Sequence, residues 1–255
     1  MNPNPAFIKN LLDRKVDEYN SHEFIKEDPV SIPHMFNNKK DIEISGFLTA
    51  IISWGQRKTI ITNATRLINL MDNSPYDFII HSSEKDLMPF KQFKHRTFNG
   101  EDCIFFLKSL QNIYLHHGGL EASFFPPEGR ELVEGIVQFR RCFLSVPFPA
   151  RSAKHIADPS AGASAKRINM FLRWMVRKDA CGVDFGIWKN ISPSQLYCPL
   201  DVHTGEVARK LGILKTKQNN WHAVEELTGY LRMLDPDDPV KYDYALFGMG
   251  VNKEF

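Results

Sequence analysis

Apolar residues return along this chain at helical spacing nearly from end to end. Ile60, Ala64, Leu67, Ile68 and Met71 make one stripe, Cys103, Phe106, Leu107, Leu110 and Ile113 a second, and Leu132, Val133, Ile136, Val137 and Phe143 a third. Side chains three and four apart share one face of an α-helix, so each stripe predicts an amphipathic helix turned toward a core. Segments of period two rich in Val, Ile and Thr are absent, and no half-buried strand is predicted. The fold class expected is all-α, with about ten to twelve helices of roughly three turns.

Ser74-Pro75, Pro126-Pro127, Pro147 with Pro149, and Pro159 mark joints, and Gly118-Gly119 closes the helix that begins near Gly100. The longest irregular stretch runs from Val146 to Ala165. It leads into a helix from Lys166 to about Lys178, with Ile168, Phe171, Leu172 and Met175 as its buried stripe. No internal repeat or low-complexity tract interrupts the pattern.

Composition narrows the class without naming a partner. The chain has 255 residues, 43% hydrophobic and 24% charged, which is the range of a globular protein with one large core or two modest ones. No apolar run approaches the ~18 residues of a membrane span, so no membrane is expected as partner. Four cysteines without a CxxC pair fit a reducing cytoplasm and core packing rather than a zinc ribbon or an iron–sulfur loop. Net charge is only +2, yet residues 151–217 carry twelve Lys and Arg against five acids, a surplus of seven. Such a segment is what a surface that meets phosphates would show, or simply a solvated helical face.

The chemistry concentrates between Pro159 and Leu211. A small-residue turn, Gly162-Ala163-Ser164-Ala165, delivers Lys166 to the first turn of a helix, and Pro199-Leu200-Asp201-Val202-His203 opens a second helix with an acid at its cap. The positive end of a helix dipole disfavours an ammonium ion, and a less protonated amine is the better nucleophile. An aspartate at a neighbouring helix start can stabilise positive charge developing on a substrate. Taken singly, Asp201 is an ordinary N-cap and Lys166 an ordinary surface lysine.

Together these strings resemble the helix-hairpin-helix DNA glycosylase superfamily, which includes endonuclease III and the 8-oxoguanine DNA glycosylases. The run from Pro199 to Gly212 is similar to the stretch around that superfamily's catalytic aspartate, with Asp201, His203, Val207 and Arg209 matching in turn. Gly162 to Lys166 has the spacing of the hairpin that ends in the catalytic lysine of bifunctional members. Ile52-Ser53-Trp54-Gly55-Gln56 looks like the helix end where many members place a glutamine that wedges into the DNA stack. The chain also resembles, over most of its length, a bacterial family of unknown function, through the strings Lys166 to Arg177 and Asp235 to Asp243.

The resemblance implies a two-lobed glycosylase-like fold, with one helical lobe at about 40–145 and the other formed by 1–39 plus 146–255. It implies a base-excision enzyme with possible AP-lyase activity, acting as a monomer on double-stranded DNA with a damaged base, without metal or other cofactor. Lys166 is then the nucleophile and Asp201 the electrostatic stabiliser. Gln56, Arg57, Lys154, Gly162, Ser164, Arg167, His203 and Arg209 are the expected DNA contacts. Two alternatives stay open. A binding module of the same fold without catalysis is favoured by a hairpin, Ser160 to Ser164, that keeps one glycine; a metal-dependent hydrolase would use Asp201, His203 and His155.

Weaker signals are read structurally. Asp184-Phe185-Gly186 matches a kinase tripeptide without the rest of that machinery. His116-His117 reads as a helix C-terminal cap, and Trp174, Trp188, Phe185 and Trp221 as core.

Overall fold

The computed structural model describes residues 4–254. Apart from two isolated bridges, the described residues are helical or irregular. The helices are α1 (Pro5–Tyr19), α2 (His22–Glu27), α3 (Lys39–Ile51), α4 (Arg57–Asn69), α5 (Pro75–His81), α6 (Gly100–His116), α7 (Leu120–Phe124), α8 (Leu132–Phe143), α9 (Lys166–Val176), α10 (Val202–Lys210), α11 (Trp221–Leu234) and α12 (Tyr242–Val251). The fold is all-α, as the periodicity predicts. No helix among the described residues is long and apolar enough to cross a membrane.

The chain forms two compact units, one of Met1–Phe24 with Asp158–Phe255 and the other of Ile25–Ala157. The sequence-drawn borders, 39–40 and 145–146, lie inside the second unit for two physical reasons. The 3-10 turns Pro29–Ser31 and Pro33–Met35 pack on α3. Residues 151–155 are fastened to the start of α6, where Asp102 accepts hydrogen bonds from Ser152 Oγ and Arg151 Nη1, both at 2.6 Å, and lies 3.4 Å from His155 Nε2.

In the second unit the three predicted stripes become α4, α6 and α8. Cys103, Phe106, Leu107, Leu110 and Ile113 are all buried, as are Leu132, Ile136 and Phe143. Val133 and Val137 are half-buried, and Phe139 takes the core position beside them. The core is a phenylalanine cluster. Phe106 meets Phe143 edge-on at 4.8 Å, Phe47 meets Phe139 edge-on at 5.5 Å, and Phe124 stacks on Phe139 at 3.8 Å. Each well-set pair adds about 0.5–1.5 kcal/mol to the burial of its area. A capping box starts α6: the Asn99 side chain accepts from the Asp102 N–H at 3.1 Å, and the Asp102 carboxylate from the Asn99 N–H at 2.9 Å.

In the first unit α12 is the central helix, packed against both α1 and α10. The four expected residues of α9 are buried, and so is Arg173 on the same helix. A buried guanidinium needs buried acids, and this unit supplies them. Arg173 binds Asp243 and stands 3.3 Å from Asp184; Arg177 reaches Asp179 at 2.6 Å, Asp238 at 2.9 Å and Asp184 at 3.1 Å. The Tyr244 ring lies under both guanidinium groups, at 4.1 and 5.6 Å. The helix ends at Val176, two residues short of the expected Lys178, because Arg177 turns extended as its side chain enters this cluster. Asp184 is thus a structural counter-ion. Trp174, Trp188 and Trp221 are buried, and Phe185 is half-buried.

Candidate active site

Lys166 and Asp201, 35 positions apart in the chain, come together in the first unit, with Lys166 Nζ 3.8 Å from Asp201 Oδ2. Each stands at a helix start. Asp201 is the N-cap of α10, in extended backbone, and its Oδ1 accepts from the Thr204 N–H at 3.0 Å. That bond fixes the carboxylate and leaves Oδ2 toward the amine. Lys166 is the first residue of α9, and its Nζ lies 3.7 Å from Met170 Sδ one turn on. The side chains are 26% and 21% exposed, so a substrate can reach both while bulk solvent screens them only partly.

The turn before Lys166 depends on left-handed backbone. Gly162 has φ 85° after the 3-10 turn Pro159–Ala161, and Ala165 has φ 49° as N-cap of α9. Gly162 is exposed and Ser164 half-buried, the Ser164 carbonyl accepting from Asn169 Nδ2 at 3.2 Å.

A short segment before α11 joins the two halves of the site. The Trp221 N–H donates to the Gly162 carbonyl oxygen at 2.9 Å, and Asn220 forms a bridge with Ala163. Next to them, Asn219 Nδ2 donates to the Asp201 carbonyl oxygen at 2.8 Å. Residues 219–221 therefore hold the lysine turn and the aspartate cap at once. Arg209, expected to meet DNA, serves this clamp: its Nη2 donates to Asn219 Oδ1 at 2.6 Å and its Nε to the Thr216 carbonyl oxygen at 2.8 Å. Gly205 makes room for it, since a Cβ there would lie 2.7 Å from Arg209 Nη1 and 2.8 Å from Asn219 Oδ1.

Beneath the pair is Asp243, buried on α12 and bound to Arg173. Burial pushes its carboxyl up to about 6; the Arg173 charge opposes this, the negative charge of Asp201 adds to it, and the positive charge of Lys166 opposes it. Asp243 thus belongs to the same electrostatic group as the two site residues. Sequence reasoning gave neither Asp243 nor Asn219 a role. Arg173, seven residues after Lys166 and two turns along α9, stands on the lysine's face of the helix and not in the apolar stripe, so the periodicity gives no sign that it is buried and needs an acid.

The remaining expected contacts are dispersed. Arg167 is half-buried, and burial pulls its guanidinium down to about 10. His203 is exposed, its ring edge-on to Phe247 at 6.2 Å. Gln56, Arg57 and Lys154 belong to the second unit: Gln56 is the exposed N-cap of α4, Arg57 begins that helix, and Lys154 is exposed. His155 also belongs there, buried against Asp102, whereas Asp201 and His203 are in the first unit. Among the described residues no three His, Cys, Asp or Glu side chains gather to hold a metal ion.

The basic stretch 151–217 is partly internal. Arg173 and Arg177 are buried in ion pairs, and Arg151 and Arg209 donate to protein acceptors. Lys154, Lys178, Lys189, Lys210, Lys215 and Lys217 are exposed.

No curated protein and no solved structure matches the chain. A family profile, described as protein of unknown function (DUF2400), matches residues 28–252 and so takes in the lysine turn, the aspartate cap, the clamp and the buried Asp243. The chain belongs to the DUF2400 family.

Proposed function

We propose that the chain is a DNA base-excision enzyme, a glycosylase with AP-lyase activity on a two-lobed helix-hairpin-helix glycosylase-like fold. The observation that supports this most is the 3.8 Å approach of Lys166 Nζ to Asp201 Oδ2 at two helix starts, both side chains open to a substrate. A base is out of reach inside a duplex, so the target nucleotide is flipped out first. The unprotonated Lys166 amine attacks C1′ of the sugar. The N–C1′ bond forms as the glycosidic bond breaks, and its electron pair leaves with the base, which takes up a proton. The ring oxygen then leaves C1′ as a hydroxyl, taking up the proton that the nitrogen releases, and a protonated Schiff base results. Loss of a C2′ proton from it expels the 3′ phosphate. Asp201 stabilises the cationic character at C1′ through Oδ2, which its cap hydrogen bond leaves available.

A nucleic-acid-binding module without catalysis is the second reading. One observation favours it: the stretch before Gly162 holds only the short 3-10 segments Ala150–His155 and Pro159–Ala161, with no α-helix, where a helix-hairpin-helix has a helix. Base release from a panel of lesion-bearing duplexes separates the two. The enzyme reading expects release by the wild type and a loss of about 10² or more in Asp201→Asn. Binding without release of any base from the panel gives the second reading.

A further inference from the structure

Three segments of the second unit, residues 54–58, 94–97 and 151–155, are bound into one surface. The Trp54 ring stacks on His155 at 6.0 Å and meets His95 edge-on at 4.8 Å, and His95 Nε2 donates to the Trp54 carbonyl oxygen at 3.2 Å. The Arg96 guanidinium lies over Gly55, where an added Cβ would come within 2.4 Å of Nη1. Arg151 Nη2 donates to the Thr97 carbonyl oxygen at 2.8 Å.

These segments read Trp-Gly-Gln-Arg-Lys, Lys-His-Arg-Thr and Arg-Ser-Ala-Lys-His, with six Lys and Arg and no Asp or Glu. The acid below them, Asp102, has no exposed side-chain surface and is satisfied by Ser152, Arg151 and the Asn99 N–H. Lys58, Lys94, Arg96 and Lys154 are all exposed and enter no ion pair among the described residues. Like charges gathered without counter-ions repel, and a polyanion relieves that repulsion while releasing its own condensed cations. Arg96 stands on a two-residue turn against Gly55, His95 and Phe98 exchanging both backbone hydrogen bonds, with φ 53°. Left-handed backbone is unfavourable for arginine and natural for glycine, so the turn alone does not account for a cation there.

We propose that this face of the second unit binds the phosphodiester backbone of duplex DNA through Arg96, Lys58, Lys94 and Lys154. The inference rests on the reading of DNA as the partner and assigns it residues of the second unit, none of them in the Lys166–Asp201 pair. An anionic membrane would also attract cations, but its hold grows with inserted apolar area as well as charge, and none of the large exposed apolar residues lies in these segments.

The test is fluorescence anisotropy of the full chain with an undamaged duplex of about 20 base pairs over about 50 to 200 mM KCl. Arg96→Gly with Lys154→Ala removes two cations, and glycine accepts the left-handed turn, so the fold is kept; circular dichroism and melting check it. Two lost phosphate contacts flatten the plot of log K against log salt by about 1–2 and weaken binding roughly tenfold. Affinity and slope unchanged in the double variant overturn the inference, as does wild type that binds no duplex at the lowest salt. Retention on vesicles with about one-third phosphatidylserine, without duplex binding, overturns it in favour of a membrane. Lys108→Ala, which removes an exposed cation outside these segments, should bind as wild type does. A protein that releases no base yet loses salt-dependent binding with Arg96 retains this surface and loses the catalytic reading.

Discussion

Asn219 joins Asp201 to Arg209: its amide nitrogen donates to the Asp201 carbonyl oxygen at 2.8 Å while its amide oxygen accepts from Arg209 Nη2 at 2.6 Å. The aspartate's backbone is thus set by a side chain 18 residues away, and that side chain is set by a guanidinium from the helix the aspartate caps.

Asn219→Ala leaves the Asp201 carbonyl and the Arg209 guanidinium without this partner, at a cost of about 1–3 kcal/mol in unfolding free energy. Because Asn219 acts on the site through Asp201, its removal should also reduce base release in the wild type and add little in an Asp201→Asn background. Kinetics of the double-mutant cycle check this, and additive losses would show that Asn219 contributes to the fold alone.

Asp243 gives the stability a pH signature. The ordinary value is 3.8 and the folded value about 6, so the stability this group confers is complete below 3.8 and is lost as pH rises through 6. The stability of Asp243→Asn relative to wild type should therefore climb between pH 4 and 7. Asp102 is the opposite case. Burial raises its carboxyl, but Ser152, the Asn99 N–H and Arg151 outweigh that and hold it below the ordinary value, so its contribution is present above 3.8 and lost in acid. The advantage of wild type over Asp102→Asn should shrink as pH falls below 4. Urea unfolding midpoints across pH measure both, and two parallel profiles would contradict the assignment.

Arg177→Met strips Asp184 and Asp238 of a buried partner and should cost about 3–5 kcal/mol. Lys108→Ala, which breaks an exposed pair with Glu84, should cost at most about 1 kcal/mol. Denaturant unfolding compares them directly.

The sequence made the helices legible because burial follows the 3.6-residue period: Ile60, Cys103, Phe106 and Ile168 are core for the reason their spacing gives. Lys166 and Asp201 were legible as a pair only through resemblance, since each alone is an ordinary helix-start residue. The roles of Arg173, Arg177 and Arg209 were not legible. A charge count treats every arginine as surface, whereas Arg173 and Arg177 donate inward to acids as far along the chain as Asp243 and Asp238, and Arg209 donates to the Thr216 carbonyl and the Asn219 amide oxygen just past its own helix. Arg96 was missed for the converse reason, because it stands outside the basic stretch and joins Lys154 through tertiary contacts, those of Trp54 with His95 and His155 and of Arg151 with the Thr97 carbonyl.

The most direct test of the central claim is borohydride trapping on a duplex with an abasic site, followed by mass mapping of the adduct. A Lys166 nucleophile predicts one covalent adduct on the peptide that carries Lys166, absent from Lys166→Gln although that variant still binds the duplex. No adduct with wild type, or an adduct that persists in Lys166→Gln and maps to Lys154, would contradict it.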